Sequence, residues 1–387
     1  MSDSFTETSS ESIFGRLGNA IKGVLFGIVL IPLAIALLAY NENRAVDTAK
    51  SLKEGAAAVV SVSADAAQPA NEGKLIHLSG EAKTPDTVTD PVFQISHNAI
   101  RLSRKVEMYQ WTEKKDQKTQ KKLGGGTETQ TTYTYTKKWS DEIIDSSGFK
   151  DPKGHENPTS MIANNSTVIA ENVTLGAFKL PSEIIRQMKG DTPLSLASAE
   201  ASELPAELKA KVKVVGDSYY HGGDPAAAAI GDQKITFTIL KPAKFSILAR
   251  QAGNSLNTYP TKAGREIERV ESGDVTAAQM FEHAKSENTL LTWGLRLGGL
   301  LLMTFGIGLI LSPIATMADV IPLVGDLVGM GTGIAALIAA SFISVVVIAV
   351  SWFAVRPMLS IALVALAIGA VIFGKRMGAS KTLAATR

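Results

Sequence analysis

The residues of this chain best suited to chemistry are its five histidines, His77, His97, His155, His221 and His283, because an imidazole titrates near neutrality and ligates metals. His155 stands in Gly-His-Glu-Asn-Pro and His221 in Tyr-Tyr-His-Gly-Gly-Asp-Pro, settings that offer a base or ligand close to a carboxylate. No two of the five have the spacing of a metal motif such as His-Glu-x-x-His, and no Gly-x-Ser-x-Gly elbow presents a nucleophilic serine. The triple glycine 124–126 invites comparison with a phosphate loop. The Lys-Ser/Thr that completes such a loop is missing, and the glycines join two strand-like runs rather than a strand and a helix. The chain has no cysteine, which removes disulfides, thiolate nucleophiles and Cys-ligated zinc. The expectation is a protein without catalytic residue, metal or cofactor, and not an enzyme.

The elements that must position these residues are dominated by four apolar stretches. Residues 23–40, 297–318, 327–355 and 357–374 contain no Asp, Glu, Lys or Arg. About 20 apolar residues cross a hydrocarbon layer of roughly 30 Å, so these read as four transmembrane helices. The first reads as an uncleaved anchor, since its run is long and ends without a small-x-small cleavage site. Arg16 and Lys22 precede the first span, and Lys375, Arg376, Lys381 and Arg387 follow the last. Positive flanks stay cytoplasmic, which predicts both termini inside and the long loop outside. The predicted layout is a cytoplasmic segment 1–22, helix 23–40, an extracytoplasmic domain 41–292, helix 293–315, and a cytoplasmic interfacial helix or loop 316–332. Helix 333–355, a tight turn 356–357, helix 358–374 and a cytoplasmic tail 375–387 complete it.

Within the loop, residues 43–60 have helical spacing, and residues 74–78, 100–111, 131–144, 166–175 and 233–249 are rich in Val, Ile, Thr, Tyr and Phe, as strands of a mainly antiparallel sheet are. Runs 104–114 and 131–139 form the clearest hairpin, around a basic stretch 114–122 and the glycines. Thr276 and Gln279 have capping-box spacing and start a helix that leads into the second span, with Trp293 as its interfacial anchor. Asp319 and Asp326, seven residues apart, fall on one helical face. The span interiors carry no ionisable group, which argues against transport, and Gly298, Gly299, Gly306, Gly308, Gly333 and Gly369 allow close helix packing. A net charge of +2 without a basic stripe excludes nucleic acid as a partner.

Several strings carry a family likeness: Asn41-Glu-Asn-Arg-Ala45, Asn71-Glu-Gly-Lys-Leu75 with His77, Glu107-Met108-Tyr109-Gln110-Trp111, Gly154-His155-Glu156-Asn157-Pro158, and Gly216-Asp217 with Tyr220-His221. Further ones are Ala249-Arg-Gln251, Thr261-Lys262, Thr292-Trp293-Gly294-Leu295-Arg296, Asp319 with Pro322 and Asp326, and Arg356-Pro357. In these, and in its four-span layout, the chain resembles the LUMA family, also called transmembrane protein forty-three. Its Ala-rich, Cys-free composition points to a bacterial member in the cytoplasmic membrane. The resemblance implies a multispan protein that self-associates; animal members reside in the inner nuclear membrane and endoplasmic reticulum and are linked to lamin and emerin. It implies no active site.

The resulting expectation is a polytopic α-helical membrane protein, four transmembrane helices with a large β-rich α+β extracytoplasmic domain inserted between helices 1 and 2. Its role would be a scaffold or organiser that contacts membrane lipids, other membrane proteins and further copies of itself. A lipid-binding or lipid-sensing protein and an extracytoplasmic hydrolase using a loop histidine are the alternatives. An apolar cleft beside Trp293 would favour the first, and histidines converging with a carboxylate the second. Glu107, Met108, Tyr109, Gln110, Trp111, His155, Asn157, Pro158 and His221 are candidates for a binding surface or for core. Trp293, Arg296, Asp319, Pro322, Asp326, Arg356 and Pro357 are candidates for a membrane junction or assembly contact.

Overall fold

The computed structural model describes residues 3–196 and 204–353. In chain order its principal elements are β1 (Asp3–Glu11), α1 (Ile13–Ala58), β2 (Leu75–Lys83), β3 (Arg101–Lys121), β4 (Thr127–Ser140) and β5 (Ser166–Ile169). These are followed by β6 (Val212–Val215), β7 (Ser218–His221), β8 (Gln233–Leu240), β9 (Ala243–Ala252), β10 (Arg269–Ser272), α2 (Ala277–Ala318) and α3 (Pro322–Trp352). Three helices, α1, α2 and α3, are long and apolar enough to cross a membrane. The fourth expected span 358–374, the turn at Arg356 and Pro357, and the tail 375–387 lie outside the described residues.

Contacts divide the chain into two compact units. The first takes the chain up to Glu7, then Ser51–Asp116 and Thr131–His283, and is β-rich. One of its sheets runs in the order β1, β4, β3, β8, β7, β6, with β5 also paired to β3. The other is built around β2 and β9, which pair antiparallel from Ala243 opposite Ala82 to Arg250 opposite Leu75. Period-two alternation fixes which side chains enter the core: along β3, Leu102, Arg104, Val106, Met108 and Gln110 are buried while their neighbours face the other way. Leu102 and Val106 join a core with Phe93, Phe178, Phe237 and Ile247, all almost fully buried, and Arg104 lies over the Phe93 ring.

The sequence-level strands are recovered with changes. The run 233–249 is two strands, because Pro242 lacks an N–H and the chain turns between Leu240 and Ala243. The run 166–175 breaks at Ile169 and resumes at Thr174. The basic stretch 114–122, expected as a loop, is strand through Lys121: its Lys, Gln and Thr residues show no apolar period, and pairing with the returning strand holds it, with Thr119 and Thr129 hydroxyls 2.9 Å apart. The β-rich unit is also not drawn wholly from between the first two helices. β1 precedes α1 and adds a strand to the sheet edge beside β4, where Thr6 meets Thr132 at 3.3 Å and Tyr133 donates to Glu7 at 3.0 Å.

The second unit begins at Thr8, Gln117 and Ala284 along the chain and holds the membrane-crossing helices. Glycine makes close helix approach possible here. A Cβ on Gly27 would lie 2.5 Å from the Gly306 carbonyl oxygen, and one on Gly299 would lie 2.5 Å from Leu38. Ala34 of α1, Met303 of α2 and Ala340 of α3 form the buried centre. Leu25, Val29, Leu297, Leu301, Ile334 and Ile338 stay exposed, as lipid-facing side chains of a span do. The segment 316–332 is not a separate interfacial helix: α2 runs on to Ala318 and α3 starts at Pro322, a residue well suited to the first helical turn. The helix expected at 43–60 is likewise the end of α1, which continues unbroken to Ala58.

Candidate functional site

The string Glu107 to Trp111 lies on β3 and splits by alternation. Met108 and Gln110 are fully buried. Gln110 donates to the Glu142 carbonyl at 2.9 Å and accepts from the Ile144 N–H at 2.9 Å, so one amide pins the chain leaving β4. Glu107 pairs with Lys105 at 2.9 Å on the other face. Tyr109 packs on Trp139, 5.3 Å between ring centres, and Trp111 meets His155 edge to face at 4.8 Å. The side chain of Asn157 acts as one extra strand residue: it accepts from the Trp111 N–H at 2.8 Å and donates to the Trp111 carbonyl at 3.0 Å. Pro158 sits over Gly231, whose positive φ of 93° suits glycine.

His155 is buried, stacked on Tyr135 at 3.9 Å, with Nδ1 2.8 Å from the Asp151 carbonyl and Nε2 3.1 Å from the Asp3 carboxylate. The Asp3 contact ties β1 to the rest of the β-rich unit. Desolvation and the Glu113 carboxylate push the Tyr135 hydroxyl up to about 12. His221 is spent in its strand, Nδ1 2.8 Å from the Lys211 carbonyl. Beside it, burial and the Asp232 carboxylate, 2.6 Å away, push Tyr220 up to about 12. Among the described residues, no three of His, Asp or Glu gather as a metal would require.

In the helical unit the charged residues collect at the two ends of the spans. At one end Arg296 grips Glu42 with two bonds, Nε at 2.7 Å and an Nη at 2.8 Å, and the Trp352 indole donates to the same carboxylate at 2.5 Å. The guanidinium also lies over the Trp293 ring at 4.6 Å and over Trp352 at 5.4 Å. One turn away Arg44 donates to Asn288 and Thr292, both at 2.9 Å, and Asn41 donates to the Thr292 carbonyl at 3.0 Å. Glu42, Asn288, Thr292, Trp293, Arg296 and Trp352 help wall a cleft of about 260 Å³, and Arg44 lies behind its Asn288 and Thr292.

At the other end Asp319, buried between α2 and α3, accepts from Arg16 and from Lys121 Nζ at 2.6 Å. Lys121 also reaches Asp326 at 2.7 Å, and Arg16 donates to the Gly125 carbonyl at 2.6 Å. A Cβ on Gly325 would overlap Asp319, so the glycine makes room for the carboxylate. Burial raises the Asp319 carboxyl, but Lys121 and Arg16 outweigh it and leave it below the usual range. The positive-flank rule places the hairpin tip outside and Asp319 inside; a 2.6 Å bond puts them at one level. The distance between the two polar ends, 26 residues of α1 from Arg16 to Glu42 or about 39 Å at 1.5 Å per residue, matches a bilayer with its inner headgroup edges.

The chain is similar to known proteins over nearly its whole length. The family model described as Transmembrane protein 43 matches residues 108–357. Transmembrane protein 43 of Rattus norvegicus is 32% identical over 381 residues, 95% of this chain and 93% of the relative. That of Homo sapiens is 31% identical, covering 97% and 96%. The chain belongs to the transmembrane protein 43 family. A Drosophila melanogaster homolog is 29% identical over 291 residues, 73% of this chain and 75% of its own length. No solved structure matches the chain.

For this member of the transmembrane protein 43 family, the structure brings Trp293 and Arg296 together, and joins Asp319 to Asp326 through Lys121. Pro322 opens α3 beside them. Gln110, Trp111, His155 and Asn157 gather into one structural network, Tyr109 and Pro158 pack on Trp139 and Gly231, Glu107 lies on the other face with Lys105, Met108 is buried, and His221 stands apart in β7. Sequence reasoning singled out neither Glu42 nor Arg44 as site residues, although both lie in a matched string. The signal was there: two charges within four residues of Tyr40 need partners at a span's end. It also missed Arg104, whose even position in β3 places it on the core face, where it bonds Asp90 at 2.5 and 2.6 Å.

Proposed function

We propose that the protein is a non-catalytic membrane organiser that self-associates through its helices, with its β-rich unit as the surface offered to other proteins. The observation that carries this reading is the division among the helix glycines. Gly27, Gly299 and Gly306 are consumed in packing α1 on α2. Gly298, Gly308, Gly329 and Gly333 have no atom of the described residues within 4 Å of a Cβ position. Gly329 and Gly333 on α3 have the four-residue spacing that lets one helix approach another, here on a face left to a second copy. The matched strings support the same reading, since their side chains bond backbone and one another rather than converge on a reacting centre. A bacterial cytoplasmic membrane is the location that the composition favours.

The test is the mass of the purified full chain in nanodiscs by native mass spectrometry. The expected result is a discrete multiple of 41.0 kDa, with Gly329→Leu and Gly333→Leu shifting the population toward monomer at least tenfold. A wild-type monomer at every accessible concentration overturns self-association as the central activity.

A further inference from the structure

The cleft at the Glu42 end of the spans has the chemistry of a lipid headgroup site. Its charges do not balance. Its wall holds one carboxylate, Glu42, whose two oxygens are already taken by Arg296 and Trp352, and a second guanidinium, Arg44, stands behind the wall on Asn288 and Thr292. Among the described residues Arg44 is partnered by the uncharged Asn41, Asn288 and Thr292, and its buried Nε has no hydrogen-bond partner there. The third nitrogen of Arg296 makes no hydrogen bond with a described residue. With Arg44 behind its wall, one carboxylate is set against two guanidiniums around the cleft, and the third Arg296 nitrogen is its spare donor, in a volume of about 260 Å³. That is slightly below the roughly 300 Å³ at which drug-sized pockets begin, and it suits a small polar group rather than an acyl chain.

A cation is a poor fit. The faces of Trp293 and Trp352 that would receive it are occupied by Arg296. Depth and shape point to an amphiphile rather than a soluble anion. Arg296 is one residue from the uncharged stretch that opens at Leu297, and Glu42 two residues beyond the stretch that ends at Tyr40. From the cleft an exposed apolar stripe descends α2 at four-residue spacing: Trp293, Leu297, Leu301 and Phe305, each more than half exposed. Twelve residues of helix cover about 18 Å, enough to lie along most of an acyl chain within one leaflet.

We propose that this cleft binds the phosphate of an anionic phospholipid, with Arg296 and the Thr292–Trp293 wall at the headgroup, the charge of Arg44 behind that wall, and the α2 stripe along its tail. The proposal does not depend on self-association, because every residue in it belongs to one copy. A headgroup there would bridge α1, α2 and α3 at the polar end of the spans and couple the strength of that joint to the charge of the leaflet.

The experiment uses the full chain in nanodiscs of phosphatidylcholine doped with phosphatidylglycerol, read by native mass spectrometry for retained lipid and by thermal unfolding. The filling variant Thr289→Trp leaves the clamp untouched, since the Thr289 hydroxyl bonds only the Lys285 carbonyl of its own helix. Arg44→Gln removes the unbalanced charge. The expected result is phosphatidylglycerol retained at least fivefold over phosphatidylcholine, and at least fivefold less of it in either variant. Thr289→Trp should melt like wild type in pure phosphatidylcholine, which separates loss of the site from loss of the fold. Equal retention of the two lipids, or wild-type retention in Thr289→Trp, overturns the proposal. So does a melting shift with inorganic phosphate as large as that with the lipid, which would assign the cleft to a soluble anion.

Discussion

Asp319 shows how a single carboxylate can hold several segments. It is buried, yet it faces the ammonium of Lys121 and the guanidinium of Arg16, and these outweigh the cost of burial and keep its carboxyl below the usual range. A carboxylate whose folded pKa is depressed contributes stability that is fully present above its unfolded pKa, near 3.8, and is lost as pH falls through the folded value. The contribution should thus be constant from neutrality down to about pH 5 and fade below about pH 4. Asp319→Asn leaves two cations without their shared partner. The expected loss is about 2 kcal/mol, less than for a fully enclosed pair because Lys121 and Asp326 are open to water. Thermal unfolding of wild type and variant at pH 7 and about pH 2.5, well below the unfolded value, tests this. The gap between them should narrow on acidification, and a constant gap would mean that Asp319 acts through shape alone.

At the scale of elements, neighbouring glycines on α2 have opposite duties, and composition alone does not tell them apart. A Cβ on Gly299 would run into Leu38 of α1, whereas one on Gly298 would meet nothing among the described residues. Gly299→Leu should therefore separate α1 from α2 and destabilise the protein by about 3 kcal/mol or more, the cost of overpacking a tight contact. Gly298→Leu should change unfolding by less than about 0.5 kcal/mol, as surface substitutions do. Melting in detergent, with size-exclusion profiles as the check on folding, compares the two. Equal effects would refute the packing of α1 on α2. The same contrast shows what was legible in the sequence. Three of the four span positions and the hairpin followed from uncharged runs and period-two alternation, and the Thr276 cap from its spacing to Gln279, which the structure realises in reciprocal bonds of 3.0 and 3.3 Å. Which glycine faces which helix depends on the rotation of α2, and that is decided by long-range packing. The strand character of 114–121 depends in the same way on the partner strand. β1, a run of Asp, Ser, Thr and Glu with one Phe, has no apolar period at all; the edge of β4 and the Lys150 and His155 side chains hold it as a strand.

For the whole molecule the question is which segments share a face of the membrane. The positive-flank rule counts charges near each span and treats the long loop as one body on the far side. It does not register contacts between that loop and the span ends. Lys121 at the end of β3 is hydrogen-bonded to Asp319 and Asp326, and Gly125 to Arg16, so the hairpin tip, the start of α1 and the turn between α2 and α3 lie at one depth. This is a geometric requirement, since groups 2.6 to 2.7 Å apart cannot stand on opposite sides of a layer of about 30 Å. The natural absence of cysteine makes the requirement easy to check. Leu123 and Leu323 are both more than four-fifths exposed, one at the hairpin tip and the other at the start of α3. Leu123→Cys and Leu323→Cys, introduced singly into sealed vesicles, should react with an impermeant maleimide from the same side and to a similar extent. Labelling from opposite sides would restore the charge-based arrangement and break the Lys121 contact. Labelling from one side would mean that the tip of the largest hairpin closes the same end of the helix bundle as Arg16, so that Asp319 reads the position of both.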